Sequence, residues 1–212
     1  PYLVAALLHS NLTPEATFED LEQIAGARSR GQRMFGAVSA CPLNFEFTLH
    51  EPYVFEGLAA WQPLMKMDEP DVKKVLGDAA FRRRLKDELT TRSRRMFTSE
   101  WDKAFVAQVA DPAHAAWEGQ SIEALAKKQG VHPVDFMLDL ALAEDLDTLF
   151  TATLLNSDED AVGRMIKDPN ALVSLSDAGA HLTFLCDAGF GLHLLGHWVR
   201  ERKLMPLEQA VK

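Results

Sequence analysis

The chain has 212 residues, of which 47% are apolar and 25% charged, and its formal net charge at pH 7 is −9. This composition is typical of a globular domain and excludes a disordered or fibrous protein. The acidic balance argues against nucleic acid or an anionic membrane surface as a partner. No run of about 18 apolar residues is present, so no transmembrane helix is predicted. The two cysteines, Cys41 and Cys186, are too few for a disulfide framework and predict a cytoplasmic protein.

Residues 1–60 predict a βαβ segment that ends in an irregular loop. Residues 2–8 are apolar throughout, as in parallel strands that are covered on both faces. Thr13-Pro14-Glu15 is typical of a helix start, and residues 34–38 are strand-like again, which predicts a right-handed crossover. Residues 42–64 show no persistent period. Their five aromatic side chains either wall an apolar acyl pocket or pack the loop.

Two further regions follow, a charged helical region at 61–147 and a final α/β region at 148–212. Charges of both signs at 66–103 are typical of a solvated helical face. Later helices are predicted at 121–130, 133–146, 158–167, 190–203 and 206–212. The strands predicted to share one parallel sheet, with helices outside it, lie near 2–8, 33–40, 148–154 and 171–176.

Both ends of the chain indicate a piece of a longer protein. The sequence starts at Pro1, without an initiator Met or a signal peptide, and enters an apolar strand at once. Residues 206–212 are typical of an amphipathic helix that is cut after two turns. The alternative is a compact domain whose ends are buried.

A polar block follows directly on the last predicted strand. It reads Ser176-Asp177-Ala178-Gly179-Ala180-His181. Because ligands bind at the carboxyl ends of parallel strands, Asp177 is placed at the functional edge of the sheet. Asp177 and His181 are therefore candidates for a base and its orienting partner, or for groups beside a metal. The alternative is an aspartate that caps the next helix and a histidine packed on a loop.

The region from Ala171 to Phe190, which contains this block, closely resembles the N-acyl-D-amino-acid deacylases, in the amidohydrolase-3 branch of the amidohydrolase superfamily. Further matching blocks are residues 12–21, 32–35, 41–45 and 195–202. The resemblance implies part of a (β/α)8 hydrolase barrel, with a helical insertion between about 60 and 147. It also implies hydrolysis of the C–N bond of an N-acyl amino acid or related amide by metal-activated water.

The resemblance assigns roles to four residues. Asp177 matches the aspartate that takes a proton from the metal-bound water and then protonates the leaving amine. Zinc or another divalent metal is expected in the full-length protein, with His9 and Asp177 as ligands. The alternative for His9 is a histidine that flanks the next helix. Ser176 and His181 are expected to bind the substrate.

Two departures from the family pattern leave a second function open. The chain contains no His-x-His pair, with which the family begins its metal site, and neither cysteine matches the family's bridging cysteine. The chain alone is therefore expected to be inactive, and the alternative is a catalytically silent fragment or binding module. Lyase or isomerase chemistry on the same barrel is a third reading. Because four strands cannot close an eight-stranded barrel, the rest of the barrel or a homo-oligomer is expected to complete it.

Two other histidines, His193 and His197, lie four apart on a predicted helix. That spacing suits a metal, but no Glu lies between them as metalloprotease chemistry requires. We expect core or interface histidines there.

Overall fold

The computed structural model describes residues 1–91, 95–175 and 188–211, and it has a mixed α/β architecture. Its strands are β1 (Tyr2–Leu7), β2 (Met34–Val38), β3 (Leu43–Phe47), β4 (Ala104–Gln108), β5 (Leu149–Leu155) and β6 (Ala171–Val173). Its α-helices are α1 (Ala16–Ser29), α2 (Glu69–Gly77), α3 (Ala79–Thr90), α4 (Ile122–Gln129), α5 (Pro133–Ala143), α6 (Glu159–Lys167), α7 (Phe190–His193) and α8 (Leu207–Ala210). A π-helix spans Leu194–Glu201. In these residues, no helix combines the length and the apolar character needed to cross a membrane.

The chain forms two compact units, which are described separately. The first consists of Pro1–Leu43 and Leu155–Lys212, and the second of Asn44–Leu154.

The first unit contains a parallel sheet in the order β1-β2-β6. Gly36 of β2 pairs with Val4 of β1 on one side and with Ala171 of β6 on the other. An added Cβ at Gly36 would lie 2.5 Å from Leu7 Cδ1, so any larger residue would force the Leu7 side chain to move within the core. The parallel pairing of β1 with β2 across α1 confirms the predicted βαβ segment.

One face of this sheet packs against helices α1 and α6 and the π-helix. The buried core consists of Leu7, Leu21, Ile24, Val38, Ala40, Val162, Met165, Ile166, Leu194, Trp198 and Met205. Within this core, the Trp198 indole N–H donates to the Ala40 carbonyl at 2.8 Å, so the π-helix is fixed to the end of β2 by a hydrogen bond as well as by packing. A buried tryptophan that finds such a partner avoids the desolvation cost of its N–H.

The second unit contains a separate sheet in the order β3-β5-β4, in which β4 and β5 are antiparallel. The prediction that residues 148–154 lie in the same parallel sheet as the other strands is therefore wrong. Buried residues alternate with partly exposed ones along β5, the pattern of a strand with one covered face, which antiparallel sheets accommodate. The prediction that 42–64 is irregular throughout misses β3, whose burial also alternates.

Aromatic side chains form much of the core of the second unit. Phe55 stacks on Trp61 with ring centroids 5.1 Å apart and meets Phe97 edge-on at 5.1 Å. Phe47 contacts Phe55 at 5.6 Å. Phe55 and Trp61 are 0% and 1% exposed. Their main role is therefore to pack the loop, the second of the two alternatives that the sequence left open.

A buried carboxylate holds the segment after β4 against the end of α5. Glu144 accepts hydrogen bonds from the Thr148 hydroxyl at 2.6 Å, the Ala110 backbone N–H at 2.9 Å and His114 Nδ1 at 2.7 Å. Burial raises the pKa of the Glu144 carboxyl, but these hydrogen bonds, led by that from Thr148, lower it by more. Its pKa therefore lies below its ordinary value.

Candidate functional site

The carboxyl ends of β1, β2 and β6 meet at one edge of the parallel sheet. His9 follows β1 by two residues, and Ser39 follows β2 directly. After β6, the backbone N–H groups of Ser174 and Leu175 donate to the Val38 carbonyl at 3.2 and 3.3 Å. The described residues that directly follow the three strands therefore lie at the edge where parallel α/β proteins bind ligands.

His9 is held at this edge with both its backbone groups bound. Its N–H donates to the Asn156 side-chain oxygen at 2.8 Å, and its carbonyl accepts from the Asn156 N–H at 2.8 Å. The residue is 3% exposed, and its imidazole lies 6.2 Å from the Phe18 ring. The backbone position of His9 is therefore fixed by Asn156.

Asn156 is the residue at this edge that the sequence does not single out. It directly follows β5, is 3% exposed and has a φ of 54°. Its amide nitrogen donates to the carbonyls of Ser39 at 3.2 Å and Cys41 at 3.0 Å. One side chain therefore joins the ends of β1 and β2 to the segment after β5. The sequence signal that could have indicated this role is the residue type, because asparagine tolerates the left-handed conformation and forms hydrogen bonds to nearby backbone.

The three predicted site residues of the polar block after β6 lie outside the described part of the chain. These are Ser176, Asp177 and His181. Whether His9 and Asp177 face a common cavity stays a prediction. Within residues 1–91, 95–175 and 188–211, no group of three or more His, Cys, Asp and Glu side chains is arranged to hold a metal ion. His9 is thus the one predicted ligand that the structure describes, and a zinc site needs at least three.

His193 and His197 lie at the junction of α7 and the π-helix, with their rings 4.9 Å apart. His197 has Glu159 and Glu201 carboxylate oxygens at 3.0 Å from its two ring nitrogens. Burial lowers the pKa of His193, and the adjacent His197 lowers it further. His197 therefore joins the π-helix, to which it belongs, to α6 through Glu159.

Comparison with known proteins gives distant relatives. No protein-family model matches the chain. Uncharacterized proteins of Mycobacterium bovis and Mycobacterium tuberculosis are 27% identical to it over 145 residues, which cover 67% of this chain and 23% of each relative. The matched region therefore spans about a quarter of the length of these relatives.

The solved structures found are deacylases. A D-aminoacylase, described as defining a novel subset of amidohydrolases, is 16% identical, with a TM-score of 0.44 over 96% of this chain and 31% of that chain. An N-acyl-D-glutamate deacylase from Bordetella bronchiseptica, complexed with zinc and a phosphonate mimic of the tetrahedral intermediate, is 18% identical, with a TM-score of 0.43 over 94% of this chain and 30% of that chain. The chain spans less than a third of the length of either structure.

Proposed function

We propose that the complete protein is a metal-dependent amidohydrolase that cleaves the C–N bond of an N-acyl amino acid or a related amide. The observation that carries the proposal is the parallel sheet β1-β2-β6. Its topology brings His9 to the same edge as Ser174 and Leu175, the last described residues before the Ser176–His181 block, and that block carries the family resemblance.

In the proposed reaction, Asp177 moves one proton. Its carboxylate takes the proton from the attacking water as the water oxygen bonds to the acyl carbon. The C–N bond then breaks, and Asp177 returns the proton to the amine nitrogen, which leaves with the bonding electron pair. Ser176 and His181 are proposed to bind the substrate.

Zinc or another divalent ion belongs to this proposal, with His9 and Asp177 among its ligands, and it supplies a water of lowered pKa. Among the described residues, no complete set of ligands for such an ion is present.

The exposed face of the parallel sheet supports the proposal that further chain completes a barrel. Leu3 of β1 and Leu172 of β6 lie on the same face through their pairing with β2, and they are 57% and 44% exposed. The cover is proposed to be the remainder of the barrel or a second copy of the chain. Sedimentation of the 212-residue chain distinguishes the two, since only self-association raises its mass.

The proposal is tested by Asp177→Asn in the complete protein. Asparagine is close in size but takes no proton, so kcat of the metal-loaded variant should fall about 10²–10⁴-fold, while Tm stays unchanged. The matched control is Asp168→Asn, before β6, where the Asp168 carboxylate accepts hydrogen bonds from the backbone N–H and the side-chain amide of Asn170 at 2.7 and 3.0 Å. A normal kcat in metal-loaded Asp177→Asn would remove Asp177 from the mechanism.

The binding-module alternative is tested in the same assay. The 212-residue chain, which lacks a His-x-His pair, is expected to give no turnover by itself. If the complete, metal-loaded protein binds N-acyl amino acids and hydrolyses none of them, the binding module is the correct reading.

A further inference from the structure

The second unit contains a cavity of about 220 Å³ between the segment after β3 and the start of α2. Its apolar lining includes Leu49, Trp61, Leu64 and Val72. An apolar cavity of roughly 150 Å³ accommodates a benzene ring. The cavity is therefore large enough for one ring with a short substituent.

Two flexible, partly exposed side chains belong to the lining of this cavity. Met65 and Met67 both line it, and they are 46% and 41% exposed. Methionine adapts its shape to different apolar partners and is common at binding surfaces for that reason. Part of the apolar lining is therefore accessible from solvent.

A charged cluster borders the cavity on one side. His50 and Glu69 line it directly, with His50 Nδ1 at 3.4 Å from a Glu69 oxygen and His50 Nε2 at 3.2 Å from an Asp147 oxygen. Lys73 bridges Glu69 and Asp145, and its Nζ lies 2.5 Å from Asp145. Three carboxylates share one ammonium and one imidazole, so the cluster carries an excess of negative charge in either form of the imidazole.

The turn after α5 links the apolar and the charged parts of the cavity. Asp145 and Leu146 have φ values of 59° and 71°. Leu146 is 1% exposed and lines the cavity, while its neighbours Asp145 and Asp147 belong to the charged cluster. The same short turn therefore supplies an apolar wall and two of the carboxylates beside it.

We propose that this cavity binds a small organic cation, an ammonium group attached to an apolar body about the size of one substituted ring. The apolar body is removed from water against Trp61, Leu64 and the two methionines. The ammonium group lies beside Glu69, where it offsets the excess negative charge of the cluster. An anion of the same shape is repelled. This proposal is independent of the amidohydrolase activity.

The test compares three probes of matched size on the full 212-residue chain, namely benzylammonium, benzyl alcohol and benzoate. We expect a dissociation constant on the order of 1 mM for benzylammonium, binding about five- to tenfold weaker for benzyl alcohol, and none for benzoate. The readout is NMR of ¹³C-labelled methionine methyl groups, in which the Met65 and Met67 signals shift. Each signal is assigned by a Met→Leu variant.

Two variants on α2 separate the cavity from general surface charge. Glu69→Gln is expected to weaken benzylammonium binding about five- to tenfold, to the level of benzyl alcohol. Asp71→Asn removes a carboxylate from the same helical turn, outside the cavity and paired with Lys74 at 2.7 Å, and should leave binding unchanged. Unchanged ¹³C spectra away from the cavity verify that both variants are folded.

Three results would overturn the proposal. One is the absence of shifts at Met65 and Met67 with benzylammonium at 20-fold the expected dissociation constant. Another is equal binding of the cation and the alcohol. The third is equal weakening by Glu69→Gln and Asp71→Asn.

Discussion

Replacing Asn156 tests whether one side chain fixes the functional edge of the parallel sheet. Asn156→Ala removes three hydrogen bonds, from the His9 N–H at 2.8 Å and to the carbonyls of Ser39 at 3.2 Å and Cys41 at 3.0 Å. A net value of about 1 kcal/mol for each bond gives a loss of roughly 3 kcal/mol, with more from the buried His9 N–H that is left unpaired. Alanine at a φ of 54° adds about 1 kcal/mol. The expected loss in free energy of unfolding is about 4 kcal/mol.

Two further substitutions at Asn156 separate the contribution of the hydrogen bonds from that of the backbone conformation. Asn156→Gly removes the same hydrogen bonds but suits the left-handed backbone, so it should be about 1 kcal/mol less destabilising than alanine. Asn156→Asp keeps the size and the acceptor for His9 but directs a carboxylate oxygen at the Ser39 and Cys41 carbonyls. It should therefore be destabilising at neutral pH despite its matched shape.

The assay is urea unfolding of the 212-residue chain, followed by circular dichroism and tryptophan fluorescence. The matched control is Asn44→Ala, since Asn44 is exposed and its side chain accepts one hydrogen bond, from Thr153. That change should cost under about 0.5 kcal/mol. If Asn156→Ala costs no more than the Asn44 control, the hydrogen bonds of Asn156 do not hold the strand ends together, and this reasoning is refuted.

Two other predictions concern single buried positions. Because the pKa of Glu144 is lowered in the folded protein, its carboxylate stabilises the fold above the pKa of the unfolded chain, and this stability is lost as pH falls through the folded pKa. Glu144→Gln should therefore cost about 2 kcal/mol at pH 7 and clearly less near pH 3, and an equal cost at both would contradict the assignment. Gly36→Ala places a Cβ 2.5 Å from Leu7 Cδ1 and should cost about 1–3 kcal/mol in thermal unfolding. Gly57→Ala, with open space around its Cβ, should be neutral, and equal effects at the two glycines would argue against crowding in the core.

The elements that follow from local interactions could be predicted from the sequence. Helix α4 begins where the Ser121 hydroxyl accepts from the Ala124 N–H at 3.2 Å, and it ends at Gly130 with a φ of 69°. Both signals lie within four residues of the helix that they bound. The parallel pairing of β1 and β2 was also predictable, because one helix connects them and a parallel connection needs such a crossover. The candidate residue His9 was found because it follows an apolar strand.

The sheet to which β5 belongs was decided by tertiary structure alone. The residues of β5 predict a strand, but its partners are β3 and β4, which lie more than 40 residues away in the sequence. Strand pairing of that kind depends on which faces are covered once the chain has folded, and the local sequence does not indicate it. The role of Asn156 could not be predicted from the sequence for the same reason, because the groups to which it bonds lie 115 to 147 residues before it. The sequence alone determined the helices, most strands and the family resemblance; the tertiary structure decided the partners of each strand and the side chain that joins their ends.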